Sequence, residues 1–215
     1  MTREDFMYEL NDLLTNYKKG NIIPSNKIIL NGTLMGKVTL FTTDYLVGYR
    51  FTLAVKRENG KGKNDVDYLE IVVPIENEYM FDKNAKRVQI IGKVCSTFVE
   101  DKLQFYVEVT KMGYDEELDE DVNWLYLEGN VVKAPRIKET FRGLKVCNLD
   151  LKVFNFRERQ RNYMPCVAFN GSAEKVYKLT QWTRISIFGR LSSRFYNTES
   201  GEQKLTTEVV VFYFQ

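Results

Sequence analysis

IILNGTLMGKV at residues 28–38 and LYLEGNVVKAP at residues 125–135 read as one segment written twice, with Gly32 set against Gly129 at an offset of 97. Three further blocks follow in the same order. RFTLAVKR (50–57) matches NLDLKVFN (148–155), DYLEIVVP (67–74) matches NYMPCVAF (162–169), and RVQIIGKV (87–94) matches RISIFGRL (184–191), at offsets of 98, 95 and 97. Four ordered matches at a nearly constant spacing mark an internal duplication. The small changes of offset fall in ENGKGKNDV and FRERQR, polar stretches that suit surface loops of unequal length.

Within each copy the apolar residues alternate, as in Phe51-Thr52-Leu53-Ala54-Val55 and Leu149-Asp150-Leu151-Lys152-Val153, which is the period of half-buried strands. Helical spacing is confined to three places. Phe6, Leu10, Leu13, Leu14 and Tyr17 give residues 3–19 an amphipathic stripe, with Thr2 as N-cap, Asp5 three residues on and Gly20 as a stop. The apolar face of this helix is expected to pack on the first barrel, or else to dock on another protein or subunit. Shorter helical stretches fall at Glu76–Lys83 and at Ser172–Leu179, the latter with Ser172 as N-cap.

Each copy of about 90 residues therefore has five β segments and one short helix between the third and fourth, the content of the OB-fold. The expected architecture is mainly β: two consecutive OB-type five-stranded β-barrels with a short N-terminal amphipathic helix. The expected divisions are a helix at 1–20, a first barrel at 21–112, an acidic linker at 113–123 and a second barrel at 124–215. The linker, GYDEELDEDVN, has six carboxylates and no base. It reads as a charged, extended linker, or as a weak mimic of the DNA backbone that folds back on the basic domain.

Composition narrows the function. The 215 residues contain no histidine, which removes the commonest general base, the commonest zinc ligand and every Ser-His or Cys-His nucleophile. Cys95, Cys147 and Cys166 form no CxxC pair and each sits in an apolar segment, so they read as small core residues. There is no phosphate-cradling GxxxxGK[ST]. No enzyme, metal or cofactor is expected. The absence of a long apolar run and the charged start point to a soluble, cytoplasmic chain. A net charge of +2 hides an asymmetry: from Trp124 onward there are 15 basic and 8 acidic residues, net +7, against −5 before it. A polyanion finds its surface in the second half.

That half interleaves cations with aromatics. Phe156, Arg157, Arg159, Arg161 and Tyr163 lie in one loop and strand start, and GRLSSRFY (189–196) sets Arg190 and Arg194 beside Phe195 and Tyr196. Cations that follow phosphates and rings that stack on unpaired bases are what single-strand binding requires.

NYMPCVAFNGSAEKV (162–176) and ISIFGRLSSRFYNTESGEQKLTTEVVV (185–211) together resemble the bacterial single-stranded DNA-binding (SSB) protein family. The shared features are a strand that opens on an aromatic, a second aromatic six residues later, an AE helix start, G-x-L-x-x-R-x-aromatic, a glycine turn and TTEVV. The resemblance covers about 123–214 directly and 26–112 weakly, through the repeat. It implies base-stacking rings at Tyr163, Phe169 and Tyr196, with a fourth stacking position near Phe156 or Arg157. The first copy has Pro74 and Val99 where the second has Phe169 and Tyr196, and keeps only Tyr68 opposite Tyr163, so a structural or dimerising role is expected of it. The chain ends on Phe212-Tyr213-Phe214-Gln215 without the family's acidic tail, which puts partner recruitment by that route in doubt.

The implied function is single-stranded DNA binding in replication, recombination or mobile-element maintenance, with replication or recombination proteins as partners and a homodimer as the favoured assembly. RNA offers the same bases and phosphates and stays open as a ligand. The alternative is an OB-fold adaptor of a primosome or replisome that binds proteins and touches nucleic acid weakly.

Overall fold

The computed structural model describes residues 1–19, 25–43, 45–57, 65–82, 84–99, 102–154, 161–197, 201 and 203–215. Helix α1 spans Arg3–Lys19. Its start is a reciprocal cap: Asp5 N donates to Thr2 Oγ1 (3.1 Å) and Thr2 N to an Asp5 carboxylate oxygen (3.0 Å). Hydrogen bonds to the carboxylate from Thr2, its backbone N–H first and its side chain second, hold the Asp5 carboxyl below its ordinary value.

The strands of the first copy are β1 (Asn26–Thr42), β2 (Val47–Lys56), β3 (Val66–Pro74), β4 (Arg87–Val99) and β5 (Lys102–Gly113). The second copy has β6 (Val122–Val131), β7 (Arg136–Glu139), β8 (Lys145–Phe154), β9 (Arg161–Phe169), helix α2 (Asn170–Val176), β10 (Arg184–Asn197) and β11 (Gln203–Phe214). Pairing β1–β2–β3–β5–β4–β1 closes one five-stranded ring, and β6–β8–β9–β11–β10–β6 closes another. Both rings contain one parallel contact, Ile71 against Val107 and Cys166 against Val209. The fold is mainly β and OB-type, as expected. One core runs through both barrels, from Ile28, Leu53 and Ile71 to Leu149, Met164 and Val209.

Three details differ from the expectation. The second copy has a sixth strand, β7, paired outside its ring on β8. The helical stretch after β3 is a 3₁₀ turn at Ile75–Met80, and α2 begins at Asn170, two residues before the expected cap. Ser172 lies inside α2 and its hydroxyl donates to Phe212 O (3.2 Å), so it ties helix to strand instead of capping.

The barrels join through β1 and β6, antiparallel, in a register that runs from Asn26 opposite Leu127 to Asn31 opposite Val122. At the repeat offset of 97, Ile28 faces its own counterpart Leu125, so a pseudo-twofold axis passes between them. The flanking contacts obey it. Asn26 Nδ2 donates to Val94 O (2.7 Å) and its Oδ1 accepts from Val94 N (2.9 Å), while Asn123 does the same with Leu191 (2.7 and 3.1 Å). Each asparagine amide imitates a peptide and continues the ladder after the backbone diverges. Gly92 and Gly189 are the matching residues at bulges in β4 and β10, where a Cβ would strike the carbonyl oxygen of Glu108 or Val210.

Helix α1 does not pack on the first barrel alone. Phe6, Leu10 and Leu13 cover Ile29 and Ile91 of one barrel and Tyr126 and Phe188 of the other, with Tyr17 stacked on Phe188 (centroids 4.8 Å apart). Burying these three side chains contributes about 2 kcal/mol each before ordering entropy, and packing of this kind supplies most of a helix's stability in a protein. The acidic stretch is likewise held, on the side of α1 and the first barrel. Arg3 pairs with Asp115 (3.2 Å) and Arg87 with Asp121 (2.7 Å), and Asn31 Nδ2 and Arg87 donate to backbone oxygens of Leu118 and Glu120. No helix among the described residues is long and apolar enough to cross a membrane.

Candidate nucleic-acid interface

Alternation along β9 sorts its side chains. Asn162, Met164, Cys166 and Ala168 point into the barrel and are buried; Tyr163, Pro165, Val167 and Phe169 face outward. Tyr163 is half-buried, and Phe169 is 37% exposed at the strand end, where it precedes α2. Phe169 is therefore no core residue. The register carries this face across neighbouring strands: Phe169 stands opposite Val146, which stands opposite Lys138 on β7, and the next row is Val167, Asn148 and Arg136. Cross-strand partners share a face, so Lys138 and, one row on, Arg136 flank Phe169 about 10 Å away. Both are exposed, and neither forms an ion pair among the described residues. Sequence reading missed them because RIKE is too short to show a strand period. The signal lay in the adjoining TFRG, a turn bounded by charged alternation.

Beyond its barrel, the β10–β11 hairpin continues as an arm. Tyr196 pairs with Lys204 and Arg194 with Thr206, which places Tyr196 within β10 and not in a loop after it. Tyr196 is 45% and Phe195 54% exposed. Arg194 Nε lies 3.4 Å from Glu208 Oε1 in a solvated pair of little strength, which leaves the cation accessible. Phe195, on the other face, approaches Tyr68 of the first barrel (centroids 6.0 Å).

Arg190 has a different place. Its guanidinium bonds Asp67, a carboxylate only 1% exposed that also holds Arg57 (2.8 Å), the Ser192 hydroxyl (3.1 Å) and Ser193 N (2.9 Å). Burial pushes the Arg190 guanidinium below its ordinary value and Asp67 opposes the shift, but an arginine stays cationic either way. It thus clamps the two barrels instead of facing the aromatic surface. A long-range partner of this kind, 123 residues away, leaves no sequence pattern. The pseudo-twofold counterpart is uncharged: Ser96 N donates to Asn162 Oδ1 (2.8 Å) and Tyr163 N to Ser96 Oγ (3.1 Å), as Tyr68 N donates to Ser193 Oγ (2.6 Å). A cleft of about 460 Å³ beside the clamp is lined in part by Arg57, Asp67, Asp121 and Arg190, whose charges are paired within the protein, with Lys56 and Asn123 also on its wall.

Phe156, Arg157 and Arg159 lie outside the described residues, as does the side chain of Arg161. The three cysteines are buried and form no disulfide with one another, and burial pushes the Cys147 and Cys166 thiols up. No group of side chains suited to a metal occurs among the described residues.

An OB-type barrel with outward aromatics and cations on one face defines the class of oligonucleotide-binding β-barrels. Residues 122–215 match the single-strand binding protein family. A single-stranded DNA-binding protein of Rickettsia felis is 31% identical over 100 residues, 42% of this chain and 66% of that protein. Single-stranded DNA-binding protein 1 of Staphylococcus aureus is 30% identical over 95 residues, 41% of this chain and 57% of that one. The chain thus spans somewhat less than two thirds of these relatives. The crystal structure of the wild-type single-stranded DNA binding protein from Thermus aquaticus superposes with a TM-score of 0.68 at 20% identity, covering 88% of this chain and 91% of that one. A deletion mutant of that protein gives 0.70, covering 88% and 93%. That likeness takes in both rings and shows the shared fold.

Proposed function

We propose that the protein binds single-stranded DNA, without catalysing a reaction, by stacking bases on Tyr163, Phe169 and Tyr196 while Arg194, Arg136 and Lys138 contact phosphates. The observation that carries this reading is the row Phe169–Val146–Lys138, a ring and a cation on one outward face where a stacked base and its phosphate can be met together. The names of the similar proteins and the basic excess of the second half support it. The loop from Phe156 to Arg161 is proposed as part of the same surface on its sequence alone. The finer setting is the cytoplasm, in replication, recombination or mobile-element maintenance, together with proteins of those processes.

The first barrel is proposed to be structural, with the second carrying most of the affinity, and two chains to associate so that four barrels act together. A dimer would use a surface other than the sheet that α1 covers. Titration of labelled dT oligomers and of duplex of the same length, at several salt concentrations and with solution mass measured, tests the reading. Preference for the single strand with a steep loss of affinity in salt is expected. Equal affinity for duplex refutes it. Little binding of either favours a protein adaptor, and full binding by a monomer removes the dimer.

A further inference from the structure

Phe141, in the turn between β7 and β8, is 96% exposed, the most exposed large apolar side chain among the described residues. It leaves on the order of 200 Å² of ring surface in water. The turn that presents it is well built. Thr140 N donates to Leu144 O (2.9 Å), Gly143 N to Thr140 O (2.8 Å) and Leu144 N to Thr140 Oγ1 (3.1 Å), and Gly143 takes the positive φ of +76° that closes the turn. The Arg142 guanidinium lies 5.5 Å from the Phe141 ring centre. The ring is therefore held out by an ordered turn, paired with a cation, and contributes nothing to the core.

Its setting selects the ligand. Residues 133–145 contain five cations and one carboxylate. Lys133 and Lys145 pair with Asp150 and Glu174, while Arg136, Lys138 and Arg142 form no ion pair among the described residues and are open to an outside anion. The turn lies three residues, about 10 Å, beyond the row of Lys138, Val146 and Phe169. An exposed ring beside unneutralised cations, in line with a surface of the same composition, matches a strand with alternating bases and phosphates. We propose that Phe141 and Arg142 are a further contact for the bound single strand, with a base stacked on Phe141 and a phosphate held by Arg142, so that the β7–β8 hairpin lengthens the site beyond β9. This rests on the proposed single-strand binding.

The test uses the full chain and dT oligomers. Phe141→Ala weakens binding roughly tenfold at unchanged salt slope, and Arg142→Ala lowers the slope by about one. The indole introduced by Phe141→Trp is quenched by dT beyond the change in the unmodified protein, whose Trp124 and Trp182 set the background. Melting temperatures stay unchanged, since the side chain is exposed. Unchanged affinity in Phe141→Ala, or no added quenching in Phe141→Trp, overturns the inference if the unmodified protein binds dT. Failure of the unmodified protein to bind dT overturns the proposed function, and this inference with it.

Discussion

Replacing Asp67 by alanine removes the acceptor for two guanidinium groups, a hydroxyl and a backbone N–H at once. Breaking a buried ion pair from one side costs roughly 3–5 kcal/mol, because the surviving charge keeps its desolvation without its partner. Here the Arg57 and Arg190 side chains retain 27% and 21% exposure, so water relieves part of that cost. The lower end, about 3 kcal/mol, is expected. For a domain pair of this size it corresponds to a fall in melting temperature of about 6–12 °C. Calorimetry of Asp67→Ala beside the parent measures it, with Asp67→Asn as a control that preserves the acceptor for Ser193 N and gives the uncharged arrangement seen at Asn162. The asparagine variant should fall between the two. A shift under about 2 °C in Asp67→Ala would refute the claim that this cluster clamps the barrels. Arg190→Ala should likewise lower stability and leave the salt slope of oligonucleotide binding unchanged. A slope reduced by about one would show that Arg190 releases Asp67 and reaches a phosphate.

Phe169→Ala should lose on the order of 1–3 kcal/mol of binding at an unchanged slope, with less than about 1.5 kcal/mol of fold stability, since the ring is already partly in water; titrations with parallel melts decide, and an unstable variant whose folded fraction binds normally refutes the stacking role. Arg194→Ala should lower the salt slope by about one with unchanged melting, and a parental slope would remove it from the site. Cys147 and Cys166, buried and with thiol pKa raised, hold less thiolate at any pH below that raised value, so a thiol-specific chromogenic reagent at pH 8 should react with them only after denaturant is added. Deleting residues 1–19 uncovers Ile29, Ile91, Tyr126 and Phe188 and should produce self-association in sedimentation, whereas an unchanged mass would show that α1 is dispensable.

What the sequence by itself determined was whatever depends on neighbours along the chain or on the repeat. The duplication, the alternation of Met164, Cys166 and Ala168 against Tyr163 and Phe169, the Thr2–Asp5 cap and the stripe of α1 are local patterns, set by the strand and helix periods. Tertiary structure decided what depends on partners distant in sequence. The self-complementary pairing about Ile28 and Leu125, α1 spanning both barrels, and the capture of Arg190 by Asp67 each require two segments to meet across a junction that no local period encodes. The face assigned to Phe169 could be read early because alternation fixes which side of a strand a residue occupies. The role of Arg190 could not, because an arginine looks alike in sequence whether it awaits a phosphate or already holds a buried carboxylate, and only the fold supplies the carboxylate.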